Sequence, residues 1–222
     1  MQADTRIRVW DLPTRLFHWL LVACLIGSLV TINLGGNWVG WHFRFGYAIL
    51  TLLLFRLIWG FTGPRYARFS AFPPNPAAAL AYLRGHRADE PGHSPLAALS
   101  VYALLAALLL QVGTGLFAND AIMWDGPLRN LVSNSTSDRL TSLHQANRIV
   151  VLALILLHLV AIAFYTLIRR KPLVRAMVTG DARQPVAARS VAADDGLALR
   201  LRAVAVFAAS CAVVWWIVNL AG

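Results

Sequence analysis

LHQANRIVVLALILLHL, residues 143–159, carries a histidine near each end of a run apolar enough to cross a membrane. A polar side chain in hydrocarbon costs several kcal/mol unless it finds a partner, so both imidazoles need something to bind inside the bilayer. His144 and His158 are 14 residues apart, which on a helix is about 21 Å of rise and about 40° of rotation. They face the same way at two depths, a geometry suited to holding one planar group near each membrane surface.

The rest of the chain reads as the surroundings of that helix. Of 222 residues, 58% are hydrophobic and 14% charged, and the mean hydropathy is +0.60, a membrane-protein composition. Five runs approach the roughly 20 residues that a spanning helix requires: residues 16–34, 42–61, 95–117, 143–168 and 199–220. The expected fold class is all-α transmembrane.

The net charge of +10 raises nucleic acid as a ligand, but the basic residues alternate between loops. Arg6, Arg8 and Arg15 lie at the start; Arg65, Arg68, Arg84 and Arg87 fall between the second and third runs; Arg169, Arg170, Lys171, Arg175, Arg183 and Arg189 follow the fourth. Residues 35–41 carry no charge, and residues 119–142 set Arg129 and Arg139 against Asp120, Asp125 and Asp138. The positive-inside rule puts the N-terminus in the cytoplasm and, after five crossings, the C-terminus outside. Basicity here reports topology and not a nucleic-acid surface.

The first run is read as a retained span, because it is long for a signal-peptide core and no convincing small-x-small site precedes Gly35. Cys24 and Cys211 fall within spans and read as packing residues. Between spans, the prolines of residues 72–76 suit a turn before a short interfacial helix at 77–83. Ser94 and Pro95 read as N-cap and first helical position. The outer loop at 118–141 offers a turn at Asp125, Gly126 and Pro127, caps at Ser137 and Asp138, and a docking surface. Residues 180–195 read as a flexible cytoplasmic linker.

Haem iron with two axial imidazoles needs a second histidine at each depth. His42 starts the second run on the outer side and His18 lies at the inner start of the first. Depth therefore pairs His42 with His144 and His18 with His158. Arg56, 14 residues after His42, reads either as a propionate partner or as a snorkelling side chain. Arg15 and Arg148 lie one turn from His18 and His144. Gly46, Gly113 and Gly115 offer room for a flat macrocycle, or for close helix packing. Zinc is disfavoured, since no Cys, carboxylate or HExxH joins the cluster, and no CxxCH provides covalent haem attachment. His86 and His93 read as solvated loop residues, with His93 in reserve for the rim of the inner cofactor or a quinone.

VWDLPTRLFHWLL, WHFRFGYAILTLLLFRLIWGFTGPRYARF, GHSP, GLFAND, SDRLTSLHQANRIVVLALILLHLVAIAFY and LVRAMVTG together resemble the bacterial cytochrome b561 and nickel-hydrogenase cytochrome b group, related to membrane subunits of formate dehydrogenases. The resemblance covers most of residues 9–180. It implies a four-helix bundle binding two haem b on His18, His42, His144 and His158, here with a fifth, C-terminal transmembrane helix. That divides the chain into a dihaem domain, 1–180, and a linker with the fifth helix, 181–222. It also implies electron transfer between the quinone pool of the bacterial inner membrane and a periplasmic redox partner, a hydrogenase or c-type cytochrome. The chain is then an electron-transfer subunit or a quinone oxidoreductase component. Two rivals remain: reduction of a small oxidant such as superoxide or oxygen at an exposed haem, and a cofactor-free membrane scaffold or transporter. The absence of intramembrane carboxylates counts against transport.

Overall fold

The computed structural model describes residues 4–85, 92–185 and 191–221. Seven helices form among them: α1 (Leu12–Leu34), α2 (Val39–Thr62), α3 (Pro76–Leu83), α4 (Pro95–Gly115), α5 (Asn134–Ala163), α6 (Leu173–Thr179) and α7 (Leu197–Val218). A π-helical turn, Phe164–Ile168, ends α5. Two short strands, β1 (Asp4–Arg8) and β2 (Asp181–Pro185), pair antiparallel with Arg8 opposite Asp181. Five helices are long and apolar enough to cross a membrane. The chain is a helical membrane protein, as its composition indicates.

The long helices expose large apolar side chains around an apolar core. Leu156, Leu157, Leu201 and Trp215 are all more than 60% exposed, which is unremarkable for side chains that face lipid and anomalous for side chains that face water. The buried set includes Thr31, Thr51, Thr114, Asn147 and Ser210. In a lipid-facing bundle the small and hydrogen-bonding residues go inward.

The described residues form two compact units. The first comprises those of Met1–Leu16, Leu57–Ala103 and Leu154–Val204. Its core gathers Val9, Trp10, Tyr66, Ala176 and Ala193. Asp11, fully buried, caps α1: Oδ1 accepts the Thr14 N–H at 2.9 Å and the Trp59 Nε1–H at 3.2 Å, while Oδ2 accepts the Thr14 hydroxyl at 2.7 Å. Asp195, ahead of α7, accepts the Leu12 N–H at 3.0 Å and faces Arg8 at 3.4 Å. Arg8 also pairs with Asp181 at 3.0 Å.

The second unit comprises Phe17–Arg56, Leu104–Ala153 and the described residues of Ala205–Gly222. Phe55 bridges Phe17 and Phe207 with ring centres 6.4 and 6.2 Å away. Its loop between α4 and α5 is built and not slack. Asp120 Oδ1 accepts the N–H groups of Ile122, Met123 and Trp124, and Asn119 bonds Ser137 Oγ at 2.6 Å and Asp138 Oδ1 at 3.0 Å.

Three expectations need correction. The fourth span starts at Asn134 and not near residue 143, so Ser137 and Asp138 lie inside α5; the cap is Ser133, whose hydroxyl accepts the Thr136 N–H at 3.2 Å. The segment 180–195 is not a free linker over its described length: β2 pairs with β1, Ala193 is buried and Asp195 is anchored. Gly180, at φ +90°, lets the chain leave α6 into β2, and its carbonyl accepts the N–H groups of Val9 and Trp10. His93 is not solvated: its ring packs against Phe72 at 4.0 Å and Trp10 at 4.8 Å. His86 lies outside the described residues.

Candidate functional site

Within the second unit, α2 brings His42 against His144 of α5, with ring centres 6.3 Å apart and ring planes at 90°. Each ring is fixed through Nδ1. His42 Nδ1 is 3.0 Å from the Ser28 carbonyl and 3.0 Å from its hydroxyl; His144 Nδ1 is 2.8 Å from the Gln111 carbonyl. A carbonyl accepts only, so Nδ1 carries the proton in both rings and the lone pair is on Nε2. That is the tautomer a metal-binding histidine takes when a carbonyl orients it.

The separation can be tested against a ligated ion. A metal–imidazole bond of about 2.0 Å, plus about 1.1 Å from nitrogen to ring centre, puts two rings on opposite sides of one ion about 6.2 Å apart. The observed 6.3 Å is compatible with that spacing, as it is with direct ring packing such as that of Trp41 on Phe45. Among the described residues no group of three or more His, Cys, Asp or Glu is gathered, so a tetrahedral ion lacks its ligands. A macrocyclic iron brings its own equatorial nitrogens and asks the protein for two axial ones.

The glycines divide by what surrounds them. A Cβ on Gly115 would stand 2.9 Å from His144 Cε1, so this glycine makes room for the histidine ring itself; Gly46 and Gly113 open onto empty space. Arg56 is buried on α2, and Arg148 is exposed on α5. Arg15 donates from Nη1 to the Val178 carbonyl at 2.6 Å, and its Nε is buried without a hydrogen-bond partner. His18, half-buried on α1, stacks edge-on to Trp19 at 5.0 Å; His158 is half-buried on α5.

Sequence reading missed Ser28, Gln111 and Asn147. Gln111 Nε2 donates to the His144 carbonyl at 3.0 Å, and Asn147 Nδ2 donates to Gln111 Oε1 at 2.7 Å and to the Ala107 carbonyl at 2.9 Å. The available signal was a long polar amide in the apolar run at 95–117 and a second one, three residues after His144.

A family model described as prokaryotic cytochrome b561 matches residues 9–180. The probable Ni/Fe-hydrogenase 1 B-type cytochrome subunits of Escherichia coli K12 and O157:H7 are each 25% identical to the chain over 140 residues, covering 50% of this chain and 60% of theirs. The chain thus spans about three fifths of the length of these relatives. No solved structure gives a significant match. With its spans and a match over most of its length, the chain belongs to the prokaryotic cytochrome b561 family, a family of b-type membrane cytochromes for which haem b is the implied cofactor.

Proposed function

We propose that the chain carries electrons across a bacterial inner membrane on two haem b groups. His42 and His144 would hold the outer one, and by their depth along the sequence His18 and His158 would hold the inner one. The observation that supports this most strongly is the 6.3 Å separation of His42 and His144 with both Nδ1 groups held by backbone carbonyls. Haem b supplies a one-electron couple between ferric and ferrous iron. The chain's own residues orient the His42 and His144 imidazoles through Nδ1 and would supply apolar surroundings and cations for the propionates. Arg15, with its unpartnered Nε, and buried Arg56 are proposed for those propionates. Arg148 is proposed to bias the outer site electrostatically, and Gly46 to admit the macrocycle edge.

The basic loops support a cytoplasmic N-terminus and a periplasmic C-terminus. Electrons then pass between quinone on the cytoplasmic side and a periplasmic redox protein. The relatives' name ties a B-type cytochrome subunit to a Ni/Fe-hydrogenase, which favours a hydrogenase as that partner, with a c-type cytochrome as the other reading. The ligands all fall within residues 1–180, the proposed dihaem domain; residues 181–222 add the fifth span. Haem content of His144→Ala and His158→Ala tests the assignment. Each variant is expected to lose one of two haems, and unchanged content in both refutes it.

A further inference from the structure

His144 is gripped from two directions by one residue. Its Nδ1–H donates to the Gln111 carbonyl at 2.8 Å, and the Gln111 side chain donates back to the His144 carbonyl at 3.0 Å. Asn147 fixes the Gln111 amide through Nδ2, donating to Oε1 at 2.7 Å and to the Ala107 carbonyl at 2.9 Å. Asn147 is 5% exposed. A carboxamide buried in an apolar span is costly unless its hydrogen bonds are made, and a satisfied buried network rigidifies what it touches. Among the described residues, the bonds to His42 Nδ1 come from Ser28, through its carbonyl and its hydroxyl.

We infer that Gln111 and Asn147 are positioning residues that set how strongly His144 donates to its iron, and through it the potential of the outer haem. This rests on the assignment of His42 and His144 as ligands. An Nδ1–H that donates to a carbonyl gains imidazolate character, which makes Nε2 a better donor and favours ferric iron. The Gln111 carbonyl survives any substitution at that position. What the two amides contribute is its distance and angle to the imidazole, held by a loop of hydrogen bonds that closes across α4 and α5. Loosening the loop weakens the Nδ1–H bond, weakens the ligand, and raises the potential.

The test uses the full chain in detergent, loaded with haem, as wild type, Asn147→Leu, Gln111→Leu and the double variant. Haem per chain is measured first, then redox potentials by titration and low-spin g-values by electron paramagnetic resonance. Each single substitution is expected to raise the potential of one haem and move its g-values, leaving the other haem unchanged. The double variant is expected to shift no further than the larger single one, because both residues act through the same bond. Unchanged potentials and g-values in both singles, or two shifts that add, overturn the inference. Asn147→Ser, which keeps a hydrogen-bonding group at shorter reach, covers the case in which the leucine variants fail to take up haem: a raised potential of one haem relative to wild type supports the inference, and no shift overturns it. A wild-type chain without haem refutes the ligand assignment itself, before any variant is compared.

Discussion

Gly115→Ala puts the smallest side chain where His144 already stands. The new Cβ would lie 2.9 Å from Cε1 and 3.1 Å from Nδ1 of that ring, whereas carbon contacts relax at about 3.5 Å or more. The ring therefore has to retreat by roughly 0.6 Å, and a shift of that size takes a hydrogen bond that starts at 2.8 Å to as much as about 3.4 Å, past the edge of its useful range at about 3.2 Å. Overpacking costs about 1–3 kcal/mol and a weakened hydrogen bond about 1 kcal/mol. Together that is about 2–4 kcal/mol of fold stability, of which the hydrogen-bond part, about 1 kcal/mol, acts on the ring's orientation and lowers haem affinity at the outer site by about 5-fold. Gly46→Ala is the companion variant, since its Cβ meets no atom of the protein. It is expected to leave the fold intact, or to stabilise α2 by about 0.5–1 kcal/mol, and to lower haem content only through the macrocycle itself. The assay is haem per chain with circular-dichroism melts of the same samples. Two haems per chain in Gly115→Ala, with potentials equal to wild type, would show that the His144 ring is not held by its contact with residue 115 and the Gln111 carbonyl.

Asp11→Ala removes the cap of α1 and strands the Trp59 Nε1–H, so thermal or denaturant unfolding should show a loss of about 2–4 kcal/mol; an unchanged transition refutes the anchoring role. Burial pushes the Asp11 carboxyl above its ordinary value, against hydrogen bonds from Thr14 and Trp59 that pull it down. Its contribution to stability is then complete below the ordinary carboxylate value and is lost as pH rises through the raised one, and Asp11→Asn should flatten that slope. Asp120 behaves oppositely: the N–H groups of Met123, Trp124 and Ile122 hold its carboxyl below the usual range. Its contribution is present at neutral pH and is lost as pH falls through the lowered value. Asp120→Asn should speed hydrogen exchange of the 122–124 amides at neutral pH, and unaltered protection counts against the turn's dependence on that charge. A C-terminal fusion should give active alkaline phosphatase and dark green fluorescent protein; bright fluorescence reverses the proposed orientation.

The spans and their histidines were legible because hydropathy and helical periodicity are local properties. Residues 134–142 escaped because Asn-Ser-Thr-Ser-Asp reads as loop; its helix is recruited by Ser133 and by the bonds from Asn119 to Ser137 and Asp138. The β1–β2 ribbon joins segments more than 170 residues apart and is pinned by Arg8 with Asp181 and Asp195, partners that no window along the chain brings together. His93 looked solvated among charged neighbours, yet the turn through Gly92, at φ +95°, places its ring against Trp10 and Phe72. That His42 and His144 lie close together was expected from their depth. The carbonyls that orient the rings were not, because a backbone acceptor leaves no mark in a sequence.

The dihaem assignment is tested by the haem-to-protein ratio of the detergent-purified chain, by pyridine haemochrome assay, with a dithionite-reduced minus oxidised spectrum. Two b haems per chain is the predicted result. A colourless protein, expressed with ample haem, would contradict it and return His18, His42, His144 and His158 to the hydrogen-bonded residues of an ordinary membrane bundle.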